Sequence, residues 1–492
     1  MASLIVRSGL GHARQAPSEP FGDGHPSSPL VAASRQLHRP PVQPNMRKSP
    51  CLAFLASLFC LWALTSERCT SLAVAADSSG TPKADGEPYR WTQFRGGQRD
   101  SQAAAGAELP IRWSETENVR WKLPLEHRGW SSPAVWGDTA VLTEATPDGK
   151  QMFALAVDLR DGKILWRKLI FENAEVEVAH VMNSYASPSP VVDEQRAWVH
   201  FGSYGTACLS LQDGEVIWQR RDLPCAHHRG PGSSPLLDDQ GRLFIHYDGF
   251  DVQYVVALSA DTGETIWRRD REIEYGTTDG DQMKAYSTPL LITVDGQAQL
   301  ISPTSKATIA YRPDNGEEIW RVLYQEFSAT AQPLFDGKQV YISTGFGKAH
   351  LIAVDPTGVG DVTVSHLRWD TPRGIGSKST GLHRDGLIYN VHDAGVATCV
   401  DAQTGETVWT QRFGGMFSAS LLGAGDYVYW FDHDGVGYVT RHGRDLEVVA
   451  ENRLDDGCMA SPVPLNESLL VRTRSALYRI GAPVDASTAP AP

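Results

Sequence analysis

"ADTGETIW", residues 260–267, and "AQTGETVW", residues 402–409, are nearly the same octapeptide placed far apart in one chain. Related copies end at Trp166 ("LRDGKILW"), Trp218 ("LQDGEVIW") and Trp320 ("PDNGEEIW"), and a looser one ends at Trp369 ("VTVSHLRW"). From Trp166 through Trp218, Trp267, Trp320 and Trp369 to Trp409 the steps are 52, 49, 53, 49 and 40 residues. Periods of this size mark a propeller or array, whose units bury their faces only against one another. A chain of 492 residues would otherwise be expected to divide into domains of roughly 150 residues each. Continuous repetition makes one array the better account.

Each copy has the same flanks. An alternating run such as "YVVALSA" precedes the turn and a second strand ends on Trp, the pattern of a β-hairpin with Gly at a positive-φ position. A second hairpin lies upstream and opens on a Ser/Pro signal: "SSPAVWGDTAVLTEA" from Ser131, "SPSPVVDEQRAWVHFG" from Ser187, "SSPLLDDQGRLFIHYDG" from Ser233 and "STPLLITVDGQAQLISP" from Ser287. Looser openings follow at Ala329, Ser379, Ser418 and Ala460, giving eight units of four antiparallel strands, A to D. The eighth lacks a strand D, and "NVRWKLPL" (118–125) places Trp121 where one belongs. The expectation is an all-β, eight-bladed β-propeller over residues 113–481, its last blade closed by the N-terminal strand, which removes a sheet edge. An extended segment, 77–112, precedes it and a tail, 482–492, follows. Trp121, Trp166, Trp218, Trp267, Trp320, Trp369 and Trp409 are expected to fill the wedges between blades rather than to take part in chemistry.

Tandem "A-x-T-G-x-x-x-W" units, clearest at Ala260–Trp267 and Ala402–Trp409, resemble the pyrroloquinoline quinone (PQQ)-like β-propeller superfamily from about Trp91 to Gly481. "YRWTQFRGGQRDS" (89–101) is similar to the segment that precedes the propeller in secreted members and quinoprotein dehydrogenases. The superfamily holds dehydrogenases and non-enzymatic scaffolds such as the outer-membrane assembly lipoprotein of the β-barrel machinery, so the resemblance implies the fold more than the function. The adjacent cysteines typical of quinoprotein alcohol dehydrogenases do not occur here, nor does a "CxxCH" haem attachment.

Residues 1–45 have too little apolar pattern to fold, and read as disordered or as an extension upstream of a start at Met46. Residues 46–76 read as a secretory signal: Arg47 and Lys48, an apolar run from Cys51 to Leu64, then small residues at Ala73, Ala75 and Ala76. That run of 14 residues is shorter than the roughly 20 of a membrane span. The expected location is the periplasm or the extracellular space. The formal charge is −13, and seven Lys/Arg against three Asp/Glu in residues 1–76 leave −17 for the rest. A surface of that sign is unsuited to nucleic acid. Cys208, Cys225, Cys399 and Cys458 lie one per distant segment and read as buried thiols, although four cysteines also allow three pairings.

In a propeller of this strand order the D-to-A loops and B-to-C turns share one face. The stereotyped C-to-D turns belong to the other. The D-to-A loops carry His127, Arg128 and Trp130; His180, Asn183 and Tyr185; His227, His228 and Arg229; Asp281, Lys284 and Tyr286; Lys378; and Phe417. Such residues at a channel mouth suit a small molecule, a metal or a peptide. Polar loop tips are also ordinary turn chemistry, the reading favoured for Asp248, Asp393, Asp432 and Asp434 in the B-to-C turns. Cys225, His227 and His228 lack the remaining ligands of a metal site, so no metal is assigned.

The first expectation is an exported, monomeric platform without catalytic residues, binding a protein or peptide on its polar face. The alternatives are a PQQ- and calcium-dependent dehydrogenase of alcohols or sugars, and a glycan or small-ligand binder stacking sugars on Trp130, Tyr185, Tyr286 and Phe417.

Overall fold

The computed structural model describes residues 88–482, so the expected extension, the signal and most of the tail fall outside the described residues. Eight antiparallel sheets follow one another along the chain as the blades of a propeller. Blade 1 comprises strands A to D at Ala134–Trp136, Thr139–Ala145, Gln151–Asp158 and Ile164–Glu172. Blade 3 repeats this at Leu236–Leu237, Arg242–Asp248, Gln253–Ser259 and Thr265–Asp270. In blade 8, strands A to C are Val463–Leu465, Ser468–Arg472 and Ala476–Ile480, and strand D is Val119–Pro124 from the other end of the fold. Val119 pairs with Ile480 and Pro124 with Ala476. The sequence-based closure is therefore the one observed.

A repeated joint holds neighbouring blades together. In strand D the ladder shifts by one residue just before the tryptophan, in blade 3 between the Ala257–Trp267 and Leu258–Thr265 pairs. Such a bulge re-aims the side chain that follows it. The indole lies against the glycine of the next blade's C-to-D turn: a Cβ on Gly214 would stand 2.6 Å from Trp166, one on Gly263 2.6 Å from Trp218, and one on Gly316 2.6 Å from Trp267. The same glycines have φ of 73°, 73° and 71°. Turn geometry and contact thus demand glycine independently. The indole N–H then donates to a carbonyl of that turn: Trp166 to Leu211 O (2.9 Å), Trp218 to Ala260 O (2.9 Å) and Trp267 to Pro313 O (2.9 Å). Trp121 makes the same joint with Gly162 and Leu159 O (2.9 Å), so blade 8 meets blade 1 as the others meet.

Three seams depart from the pattern. At the seam of blades 6 and 7, Trp409 donates to Gly443 O at 3.4 Å and no turn glycine among the described residues packs against its ring. Between blades 4 and 5 the C-to-D turn is replaced by an excursion whose Gly360–Asp361 pairs in parallel with Trp320–Arg321 of blade 4. Here Trp320 donates to Gln299 Oε1 (2.9 Å), and Gln299 Nε2 donates to Pro356 O (3.1 Å), so an amide relays the bond. In blade 7 the position after the bulge is Ala450, and a tryptophan from the N-terminal segment, Trp113, packs nearby on Tyr429 and Phe431, 6.4 and 5.7 Å between ring centroids.

Residues 88–118 cross the A-to-B turn end of the ring. Arg90–Trp91 add a strand to blade 1, Thr92 O accepts from Val192 N (2.8 Å) in blade 2, and Gln93 Oε1 accepts from Leu237 N (3.1 Å) in blade 3. The segment then reaches the opposite blades, where Gln102 Nε2 donates to His383 O (2.9 Å), Ala103 N to Gly423 O (2.8 Å) and Glu108 N to Asn466 O (3.0 Å). Cys208, Cys225, Cys399 and Cys458 are buried free thiols.

Candidate functional site

The Ser/Pro signals that open the blades form a girdle around the axis. Ser132 N donates to Ser189 Oγ, Ser189 N to Ser234 Oγ and Ser234 N to Thr288 Oγ1, each at 2.9 Å. Gln332 N donates to Thr380 Oγ1 and Ser420 N to Ser461 Oγ at 2.9 Å, and Ser461 N closes the circle on Ser132 Oγ at 3.0 Å. At the other two steps Gln332 Nε2 reaches Pro289 O (2.8 Å), and Leu421 N reaches Thr380 O (3.2 Å). At six of the eight steps a blade's amide is thus satisfied by the next blade, and at these two the bond runs back to the preceding one; a buried backbone donor requires such a partner. In the sequence these residues are the Ser/Pro openings of the blades, and their spacing of one per blade is the signal for a ring.

The girdle surrounds a cavity of about 410 Å³ lined from all sides by D-to-A loops. Phe94, from the crossing segment, lies in its lining. The mouth opens on the loop face.

Of the sequence-selected residues, Trp130, His180, Asn183, Arg229, Asp281, Lys284, Tyr286 and Lys378 line this cavity. Trp130 is held by a bond from Nε1 to Met182 O (3.0 Å), and Asn183 Nδ2 donates to Arg229 O (2.9 Å) and Pro231 O (3.1 Å). His180 Nδ1 accepts from Met182 N (3.2 Å). Asp281 lies between two cations, 3.1 Å from Arg229 Nε and 2.6 Å from Lys284 Nζ. Lys284 is almost wholly buried, and its Nζ is also 3.3 Å from Ser328 Oγ. Burial pulls its ammonium below the usual lysine range, against the opposing pull of Asp281. Burial likewise pushes the Asp281 carboxyl up, but the bond from Lys284 and the charges of Lys284 and Arg229 outweigh it and leave Asp281 below the ordinary range. Lys378 Nζ stands 3.1 Å from Asp393 Oδ2. The Tyr286 hydroxyl is buried without a partner, and burial raises its pKa.

The remaining candidates are placed elsewhere. Phe417 is fully buried in the blade 6–7 core, its ring 6.5 Å from Tyr438, because its backbone bridges to Asp432 and turns the side chain inward. Tyr185 packs over Gly149 and donates to Glu177 O (2.9 Å). Neither ring offers a stacking face at the mouth. His127 packs 5.1 Å from Phe153, and Arg128 reaches Val181 O (2.8 Å). His228 lies on Phe250, 4.7 Å between centroids. His227 is buried beside Gly202, 6.5 Å from Tyr247, and burial holds its imidazole down at about 4. Asp248 is not a turn residue: it forms a buried pair with Arg271 at 2.7 Å. Asp432 behaves as a turn residue, accepting from Asp434 N (2.9 Å) and Val436 N (2.7 Å), whereas Asp393 does not: it ties down the preceding D-to-A loop, accepting from Ser377 N (2.9 Å).

The lining does not fit a calcium–quinone site. Calcium takes about six to eight oxygen ligands, whereas the single lining carboxylate is already bound between two cations. Among the described residues no three His, Cys, Asp or Glu side chains group as metal ligands.

The fold and the girdle define a PQQ-repeat propeller with a cavity at its axis. Residues 102–249, 251–362 and 347–449 match the family model described as outer membrane protein assembly factor BamB, and the chain belongs to that family. A curated relative, outer membrane protein assembly factor BamB of Alkalilimnicola ehrlichii, is 24% identical over 229 residues, which cover 46% of this chain and 51% of the relative. The match therefore spans about half the length of that relative. Among solved structures, BamB from Moraxella catarrhalis is similar at 13% identity and a TM-score of 0.52, covering 75% of this chain and 98% of that one. The quinohemoprotein alcohol dehydrogenase from Comamonas testosteroni is similar at 13% identity and a TM-score of 0.57, covering 80% and 81%. At these identities the structural likeness concerns the fold alone.

Proposed function

We propose that this propeller is an exported docking platform that binds a protein or peptide at the mouth of its axial cavity and carries out no chemistry there. The observation that carries this reading is the contrast at the mouth. A girdle of buried hydrogen bonds fixes the loops, while apolar side chains around it stand in solvent: Val178 (85% exposed), Val181 (77%) and Phe346 (53%). Exposed apolar groups bordering a polar cleft are a mark of interaction sites. Membership of a family described as an outer membrane assembly factor supports a protein partner and a place outside the cytoplasm. Among the described residues no helix is long and apolar enough to cross a membrane.

The test places a photo-crosslinking amino acid at Val181 or Phe346 in the full chain and irradiates it in envelope preparations of the native organism. One dominant adduct is expected, without a counterpart when the probe sits at Glu264 in a C-to-D turn. Equal adducts from both faces would remove the reading. So would saturable PQQ and calcium binding with alcohol-dependent dye reduction.

A further inference from the structure

The cavity has features that a flat docking surface would not need. Its lining holds three cations, Arg229, Lys284 and Lys378, against one carboxylate, Asp281. With Asp393 behind Lys378, one positive charge is left over, in a chain whose formal charge is −13. Of the three only Lys284 is buried, and a buried cation is retained where it is paired or meets a ligand. Arg229 and Ser328, both in the lining, hold left-handed backbone conformations at φ 105° and 52°. Left-handed non-glycine residues cluster at ligand clamps because the strain is tolerated where geometry is needed. The Tyr286 hydroxyl supplies a polar group with no internal partner.

Geometry limits what can enter. Phe94, from the segment that crosses the A-to-B turn end, stands in the lining. A cavity of about 410 Å³ is of small-ligand size, and a helix about 10–12 Å across with its side chains would fill far more. What fits is an end of a chain: one free carboxylate matching one uncompensated positive charge, with an apolar side chain against Trp130 and Phe327.

We infer that the axial cavity receives the C-terminal residue of the docked partner, its α-carboxylate held by Arg229 and Lys284, the two cations that share Asp281. This rests on the docking reading above and adds to it which part of the partner enters. Arg229 and Lys378 are the outer cations, half-exposed at the mouth, and Lys284 lies beneath them.

The probe is a fluorescein-labelled hexapeptide, Gly-Ser-Gly-Ser-Val-Leu, compared as the free acid and as the C-terminal amide by fluorescence anisotropy with the full chain. The acid is expected to bind saturably and the amide about tenfold more weakly or worse, the effect of losing a charge-assisted bond. 4-Methylpentanoate, the same side chain and carboxylate without a peptide, is expected to compete only poorly. Equal binding of acid and amide, or binding of neither, overturns the inference; displacement by 4-methylpentanoate at peptide-like concentrations assigns the cavity to small free carboxylates and overturns it too. Because Lys284→Gln removes a buried cation and endangers the fold, Arg229→Gln is the working variant. It should keep the thermal midpoint and lose most of the preference for acid over amide; an undiminished preference counts against the assignment. If crosslinks at Val181 persist while acid and amide bind alike, only this inference falls. If the crosslinks fail, the docking reading falls.

Discussion

The rim of the ring and its axis are built from the same eight-fold repeat but obey different rules. At the rim an indole, a glycine and one carbonyl recur with little variation, and a change in one member disturbs a closely packed joint. At the axis a uniform hydroxyl girdle carries loops that differ from blade to blade, with charges, exposed apolar side chains and left-handed residues. The comparison teaches that stability and recognition are separated radially: the joints hold the ring so that the mouth can vary.

That separation is open to attack from both sides. The largest effect is expected at the closing joint. Trp121→Ala removes an indole and its bond to Leu159 O, costing about 3–5 kcal/mol in denaturant unfolding, because among the described residues the N-terminal strand is the one that pairs with blade 8's open edge. A loss under about 1 kcal/mol would mean that closure contributes little.

Glycines of equal conformation then isolate packing from φ. Gly263 and Gly386 have φ of 73° and 75°, yet a Cβ on Gly263 would meet Trp218 at 2.6 Å, whereas one on Gly386 meets nothing within 4 Å. Gly386→Ala should cost about 1–2 kcal/mol for the left-handed backbone alone, and Gly263→Ala a further 1–3 kcal/mol or so for overpacking. Equal losses would erase the special status of the joint.

Acid should weaken the fold through buried imidazoles near the mouth. Burial holds His200 at about 3 and His227 at about 4, so both are neutral in the fold, while an unfolded histidine takes up a proton near pH 6.5. Between about pH 6.5 and 4 the unfolded chain binds more protons, and stability falls as the pH falls through that window. Roughly 2–3 kcal/mol per histidine is expected by pH 4. His227→Phe should flatten the slope over this range, and an unchanged slope would contradict its burial.

The smallest effect belongs to the mouth. Lys378→Gln breaks a half-exposed pair with Asp393 and should change stability by no more than about 1 kcal/mol, although it alters the lining. A large loss would show that recognition and stability are not separated.

The rim was legible in the sequence because its members are adjacent: turn, bulge and tryptophan fall within eight residues, and even the missing last strand was announced by Trp121. The axis was only half legible. Eight of the fourteen loop residues selected for it line the cavity, since loop position places a backbone but not the direction of a side chain. Phe417 and Tyr185 are aromatic residues in the right loops whose local backbone turns them toward packing partners. Asp248 looked like a turn residue because its partner, Arg271, lies in the sequence beyond a whole hairpin. The serine girdle has no local signature because its bonds join residues 41 to 57 positions apart, and 329 apart where the circle closes. The excursion in blade 5 could be seen only as a poor copy of the repeat, "VTVSHLRW", without the glutamine that compensates for it.

The strand that closes the ring also sets a clock. Val119 is among the first described residues to be synthesised and Ile480 among the last, yet they are neighbours in one sheet. Contacts of such separation form late, so the earlier blades wait in an open row with an unpaired edge until the final hairpin arrives. During that interval the nascent chain is at its most exposed to proteolysis and to wrong pairing. A truncation that removes only the last strand, Ala476–Ile480, would therefore leave the chain permanently in its vulnerable state instead of shortening it by one harmless hairpin.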